Sequence, residues 1–205
     1  MDPYVKTAET EALLRKELIA FISRFELFTQ EEVQMLVDNL TIRLYKKGTL
    51  LVQEGDICHK CYFVIKGCLR QYLILNGVDK TTQFYTENQA AVFFTSFSNL
   101  VPTESYLSCV EDSIIIVGDQ EEGEDMYERI PKLGQLTRMM MAQDFGKTQD
   151  ELSYFISSSP EERYLNLLKT KPALLQRVPQ HQLASYIGVS PESLSRIRKR
   201  IWKDK

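Results

Sequence analysis

Between Pro191 and Lys203 the chain sets out residue types suited to gripping a polyanion. At 100° per residue, Glu192, Ser195, Arg196, Lys199 and Lys203 fall on one side of a helix, while Leu194, Ile197 and Ile201 fall on the other. Arginine pairs bidentately with guanine, glutamate accepts from the cytosine amine, and lysine reaches guanine or phosphate. Ser190, placed to cap the helix, and Arg200 complete the candidate DNA-binding set.

Such a face reads base edges only if a second helix holds it at a fixed angle. Residues 180–197 meet the demands of two helices crossing at a tight turn. Ala184 is small where the helices cross, and Gly188, four residues on, supplies the positive φ of the turn. Leu183, Ile187, Val189, Leu194 and Ile197 fill the angle, and Pro191 suits the first position of the second helix. His181 falls on the first helix and reads as surface or phosphate-facing.

Charge points the same way. Residues 160–205 hold ten Lys and Arg against four acids, a net of +6. The whole chain has a net charge of -3, so the other 159 residues carry -9. A basic end on an acidic body suits a polyanionic partner, and equally describes a solvated terminus. At 43% hydrophobic and 26% charged, the composition is that of a soluble globular chain. No run approaches the roughly 18 apolar residues of a membrane helix. Residues 1–14 lack the apolar block of a secretory signal, so a cytoplasmic protein with no membrane partner is expected.

Upstream, Leu14, Leu18, Phe21 and Ile22, then Val33, Leu36, Val37 and Leu40, have helical spacing over residues 13–28 and 31–40, with Thr29 a cap for the second. From Thr41 the texture is β: runs at 41–45, 50–53, 62–65, 69–75, 80–85, 107–110 and 113–117, punctuated by Lys47-Gly48, Glu54-Gly55-Asp56, Lys66-Gly67 and Asn76-Gly77. Asn-Gly between β runs signals a type I′ hairpin, and many short strands suggest a sandwich or jelly roll. Residues 121–156 read as helix again, with Pro131 either at a first helical position or at a kink. Leu133, Leu136, Met140, Leu152, Phe155 and Ile156 form its apolar stripe, which serves either as a seam between subunits or as packing on its own domain. Ser159-Pro160-Glu161-Glu162 restarts a helix that Pro172 stops.

With these motifs in place, the chain resembles the Crp/Fnr family of transcription regulators over nearly its whole length. Tyr45-Lys46-Lys47-Gly48, Glu54-Gly55-Asp56 and Tyr62-Phe63-Val64-Ile65-Lys66-Gly67 look like the front half of that family's cyclic-nucleotide-binding-like jelly roll. Residues 187–197 resemble its recognition motif, with Glu192 and Arg196 where members place base-contacting residues. Pro191 stands where some members carry a third, an arginine, so specificity should differ. The implied fold is α+β: a jelly-roll sensor or effector domain over residues 1–120, a connecting dimerisation helix over 121–157, and a helix-turn-helix DNA-binding domain over 158–205. The resemblance further implies a homodimer on a near-palindromic double-stranded DNA site, with half-site centres about 34–36 Å apart. Members usually add a β-hairpin wing after the recognition helix. This sequence stops at Lys205, so no terminal wing is expected.

A response to cyclic AMP is not expected, and no cofactor is implied. Nucleotide-binding relatives use a Phe-Gly-Glu-like loop and an arginine about ten residues on. Here stand Tyr85-Thr86-Glu87-Asn88-Gln89, with Glu87 a possible match to the ribose-binding acid, and Pro102-Thr103-Glu104-Ser105. Residues 81–128 hold ten acids and no Lys or Arg, whereas phosphate wants a cation or a nest of amides, which another element or a partner would then have to bring. Glu87, Phe84, Phe94, Thr103 and Ser105 are the candidate lining for an effector of unknown chemistry; aromatic packing in a plain core is the competing account. Two other classes stay open. Cys58-His59-Lys60-Cys61 has a spacing suited to thiol redox or zinc chemistry, against packed or solvated thiols. A helix-turn-helix can also serve protein contacts alone. An enzyme is not expected, since His59 and His181 are the only histidines and neither joins a nucleophile and an acid.

Overall fold

The computed structural model describes residues 4, 5 and 7–203. Two helices, α1 (Ala8–Ser23) and α2 (Gln30–Asn39), precede the strands. Thr29 and Glu32 close a reciprocal capping box at the start of α2: Thr29 N–H donates to Glu32 Oε2 at 2.7 Å, and Glu32 N–H to Thr29 Oγ1 at 3.2 Å. The first helix begins five residues earlier than its apolar spacing suggests, because Thr7 Oγ1 accepts from Thr10 N–H and caps it. It ends at Ser23, so residues 24–28 form a turn, with Glu26 at φ 49°.

The strands are β1 (Ile42–Tyr45), β2 (Leu50–Val52), β3 (Lys60–Lys66), β4 (Leu69–Leu75), β5 (Val78–Tyr85), β6 (Ala90–Ala91), β7 (Tyr106–Cys109) and β8 (Ser113–Asp119). They form two antiparallel four-stranded sheets, ordered β1-β8-β3-β6 and β2-β7-β4-β5, the layers of a jelly roll. Val64, Leu69, Leu107 and Ile115 are among the fully buried side chains of the core that includes both sheets. The β4–β5 hairpin turns at Asn76-Gly77, both at positive φ (53° and 76°), with Leu75 opposite Val78. That is the geometry Asn-Gly selects. Cys68 lies in the turn before β4. Its neighbour Gly67 has φ 114°, and a Cβ there would overlap the Ser113 side chain, so only glycine fits. A short helix, α3 (Phe94–Asn99), follows β6.

Residues 120–157 form two helices, α4 (Gln120–Arg129) and α5 (Pro131–Ser157), broken at Ile130. Proline at the first position of α5 has no N–H to lose there. The apolar side chains of this region, those of the expected stripe among them, divide. Met126, Ile130, Leu133 and Leu136 lie at its start, where Met126, Ile130 and Leu133 pack with α1 and α2. Further along, Met141 (41% exposed), Phe145 (65%), Leu152 (59%) and Ile156 (75%) face outward. The remaining elements are α6 (Pro160–Thr170), α7 (Leu174–Arg177), α8 (Gln180–Tyr186) and α9 (Pro191–Lys203). Ser159 and Glu162 close a second capping box at the start of α6.

Candidate nucleic-acid interface

α8 and α9 make the crossing that the sequence demanded. Ala184 is fully buried, and its carbonyl accepts from Val189 N–H at 2.9 Å. Gly188 turns the chain at φ 78°. Leu183, Ile187, Leu194 and Ile197 are buried together with Tyr164, Leu167 and Leu174 of the preceding helices. Burial of that order contributes roughly 1.5–3 kcal/mol per large apolar side chain, which suffices to hold a short two-helix unit at one angle. Ser190 Oγ accepts from Ser193 N–H at 3.3 Å and caps α9.

The outward side of α9 is open. Glu192, Arg196 and Lys199 are exposed and Ser195 half-buried. Arg196 Nη2 donates to Ser193 Oγ at 3.2 Å. Glu192 is held below the usual carboxylate range by its backbone N–H, by the Ser190 hydroxyl and by Arg196 beside it. It therefore stands ionised, ready to accept from an amine. Arg200 is turned toward α6, where its Nη2 lies 3.0 Å from Glu161 Oε2, so it sits at the edge of this face. The side chain of Lys203 lies outside the described residues. Gln180 and Arg198 join the face from positions the helical projection does not single out. Arg198 Nη1 donates to Gln180 Oε1 at 3.2 Å, and these two line a shallow hollow with Ser195, Lys199 and Trp202. A cluster of polar and basic types at the start of α8 and the end of α9 was the available signal.

The five candidate effector residues divide. Thr103 and Ser105 come together, with Ser105 N–H donating to Thr103 Oγ1 at 3.1 Å. Ser105 Oγ accepts from Gln71, whose Oε1 in turn accepts from the Tyr85 hydroxyl at 2.7 Å. Phe94 is 55% exposed at the start of α3. Phe84 and Glu87 face the C-terminal helices instead. Phe84 meets the edge of Tyr186 at 5.2 Å between centroids. Glu87 receives a cation from another element: Arg177, at the end of α7. Arg177 Nη1 and Nη2 donate to its two oxygens at 2.9 and 2.8 Å. Burial pushes the Glu87 carboxyl up, but Arg177 and the Gly67 N–H outweigh it and leave the group below its ordinary range.

The cysteines are set apart from this face. Cys58 is buried, and its N–H donates to Ser96 Oγ at 2.9 Å. Burial pushes the Cys61 thiol up to about 11, and those of Cys68 and Cys109 up to about 12. At neutral pH these thiols are protonated and poor nucleophiles. Among the described residues no group of three or more His, Cys, Asp and Glu side chains is placed to hold a metal ion. No described helix is long and apolar enough to cross a membrane.

No protein-family model matches the chain. It is 25% identical over 174 residues to the cyclic AMP receptor protein of Thermus thermophilus, covering 82% of this chain and 79% of that one. It is 23% identical over 170 residues to the fumarate and nitrate reduction regulatory protein of Vibrio cholerae, covering 77% and 67%. Among solved structures, FixK2 of Bradyrhizobium japonicum superimposes with a TM-score of 0.65 at 16% identity, covering 80% of this chain and 85% of that one. The c-di-GMP responsive global regulator CLP of Xanthomonas campestris also gives 0.65 at 16%, covering 86% and 93%. At these identities the structural matches speak for the fold.

Proposed function

We propose that the chain is a DNA-binding transcription regulator of Crp/Fnr type, a homodimer reading a near-palindromic DNA site with α9; its likeness to the two regulators and its cyclic-nucleotide-binding fold support this. The observation that carries this reading is the open outer face of α9. Glu192, Ser195, Arg196 and Lys199 project from a helix whose other side is locked against α8. Arg196 takes a guanine, Glu192 a cytosine amine, and Lys199 a phosphate or guanine, with Ser190, Arg200 and Lys203 at the margins.

The exposed stripe Met141, Phe145 and Leu152 on α5 supports pairing of two copies along that helix. Its spacings of four and seven residues suit a helix seam. The jelly roll over residues 1–120 is then the effector side, residues 121–157 the connector, and 158–205 the DNA-binding unit. Cyclic AMP is not the effector in this reading. Residues 81–128 carry no Lys or Arg, and Arg177, which reaches Glu87, is already held by carboxylates.

The test is selection of genomic fragments with purified protein, followed by affinity titration. An inverted repeat should be enriched, and Arg196→Ala should cost about 1–3 kcal/mol and relax one symmetric base position. Enrichment of no motif, with only weak salt-sensitive binding, would sink the reading. Addition of cyclic AMP should leave the titration unchanged.

A further inference from the structure

We propose that Arg177 is a positioning residue for DNA binding: with Glu87, Glu111 and the Gly67 carbonyl it clamps the helix-turn-helix unit onto the jelly roll in the arrangement that binds the operator. This rests on the DNA-binding reading above and adds to it what fixes the reading head.

Arg177 ends α7, with only Val178 and Pro179 before α8, so fixing its guanidinium fixes the entry to the helix-turn-helix. The guanidinium is held on three sides by the other domain. Besides the two bonds to Glu87, Nε donates to Glu111 Oε1 at 2.9 Å, and Nη2 reaches the same oxygen at 2.5 Å and the Gly67 carbonyl at 2.7 Å. Gly67 closes the ring, since its own N–H donates to Glu87 Oε1 at 3.0 Å. A planar fork between two carboxylates and a carbonyl fixes direction as well as distance.

Two further contacts line up with the clamp. Thr81 N–H of β5 donates to Ser185 Oγ of α8 at 2.8 Å, and Ser185 Oγ also reaches the Asp79 carbonyl at 3.3 Å. That stretch of β5 is stiffened from behind by buried Arg70, which donates to Thr81 Oγ1 at 2.7 Å and to Asp79 Oδ1 at 2.6 Å. Phe84 packs on Tyr186. None of these contacts uses Glu192, Arg196 or Lys199. The docked unit therefore keeps its DNA face open, and releasing it would add the cost of immobilising a tethered domain each time it bound.

The experiment measures affinity of the full chain for the operator duplex recovered by fragment selection, across a salt series. The proteins are wild type, Arg177→Gln, Glu87→Gln and the double variant. In parallel, energy transfer from Trp202 to an acceptor on Asn76→Cys reports the distance between the unit and the β4–β5 hairpin. Each single variant should bind roughly tenfold more weakly, with the same motif and the same salt slope, and the double variant should be no worse than either single. The Trp202–acceptor distance should broaden in all three.

A salt slope lowered by about one in Arg177→Gln would mark a phosphate contact and overturn the proposal. Tighter or unchanged binding, additive losses, or an unchanged distance would also overturn it. If wild type enriches no operator, the DNA-binding reading fails, while the distance measurement still decides whether the clamp positions the unit.

Discussion

The C-terminal unit has two cationic faces, and they use arginine in opposite ways. On the outer face Arg196 and Lys199 are exposed, and Arg196 donates to the neighbouring Ser193 hydroxyl beside Glu192. On the inner face Arg163 and Arg177 are already held by other groups of the protein. Arg163 donates from Nη1 to the Ile187 carbonyl at 2.9 Å and from Nε and Nη2 to the Ser158 carbonyl at 3.1 and 2.9 Å, and it lies 3.9 Å from the centre of the Phe155 ring. It thereby ties the end of α5 to the turn between α8 and α9. Arg177 does the same toward the jelly roll. A net charge of +6 therefore overstates the cations open to DNA. Solvated cations meet phosphate at little desolvation cost, whereas those already paired serve geometry.

The largest effect should come from removing the support common to both faces. Leu194→Ala empties a fully buried site under α9 and should cost about 2–5 kcal/mol of stability. Denaturant titration followed at Trp202, the single tryptophan, would measure it. Next, the two faces should separate by their salt response. Lys199→Ala should weaken binding evenly across operator variants and lower the salt slope by about one. Arg163→Ala should leave the slope alone and instead cost about 1 kcal/mol of stability, through two carbonyls that lose a charged donor. Equal slopes for both variants would erase the distinction.

Acid should open the inner face. The folded Glu87 pKa is depressed, so its stabilising contribution is complete above the unfolded value near 4.5. It is lost as pH falls through the lower folded value. Trp202-to-hairpin energy transfer should therefore fall only at acid pH, and Glu87→Gln should remove that transition. The smallest effect is expected from the cysteines. Cys58→Ser with Cys61→Ser should leave operator affinity within twofold, with and without oxidant. A large loss on oxidation of wild type alone would revive a thiol sensor.

Much of the outer face of α9 and of the turn that holds it can be seen in the order of residues. Gly188, Ala184 and the cap Ser190 are each required by local backbone geometry, and local geometry is written in neighbouring residues. The same holds for Asn76-Gly77 and for the Thr29 and Ser159 capping boxes. Arg200 shows the limit: as a residue type it fits the DNA face, but Glu161 on another helix draws it to the edge. The long helical stretch shows it again. Two uses of its apolar stripe were open, and the fold assigns the beginning to its own domain while leaving Leu152 and Ile156 exposed.

The candidate effector lining was the least readable part. Phe84 and Glu87 have the composition of a pocket wall, and what faces them comes from residues about a hundred positions away. The absence of basic residues between 81 and 128 is plain in the sequence, but the origin of the cation that meets those acids is not.

The main helices and strands, their Asn-Gly turn and capping boxes, the crossing of α8 on α9 and the residue types of the outer face are legible in residue order, because backbone sterics and helical periodicity act over a few residues. By contrast, β6, α3 and α7 carry no such local signal, and Pro131 alone leaves the break at Ile130 undecided. Which cations stay in solvent and which are held is set by tertiary packing. The Arg177–Glu87 and Arg177–Glu111 salt bridges join residues 90 and 66 apart in sequence, and no local rule selects those partners over water. The choice falls to the packing of two domains, which brings one guanidinium to two carboxylates and a glycine carbonyl at once.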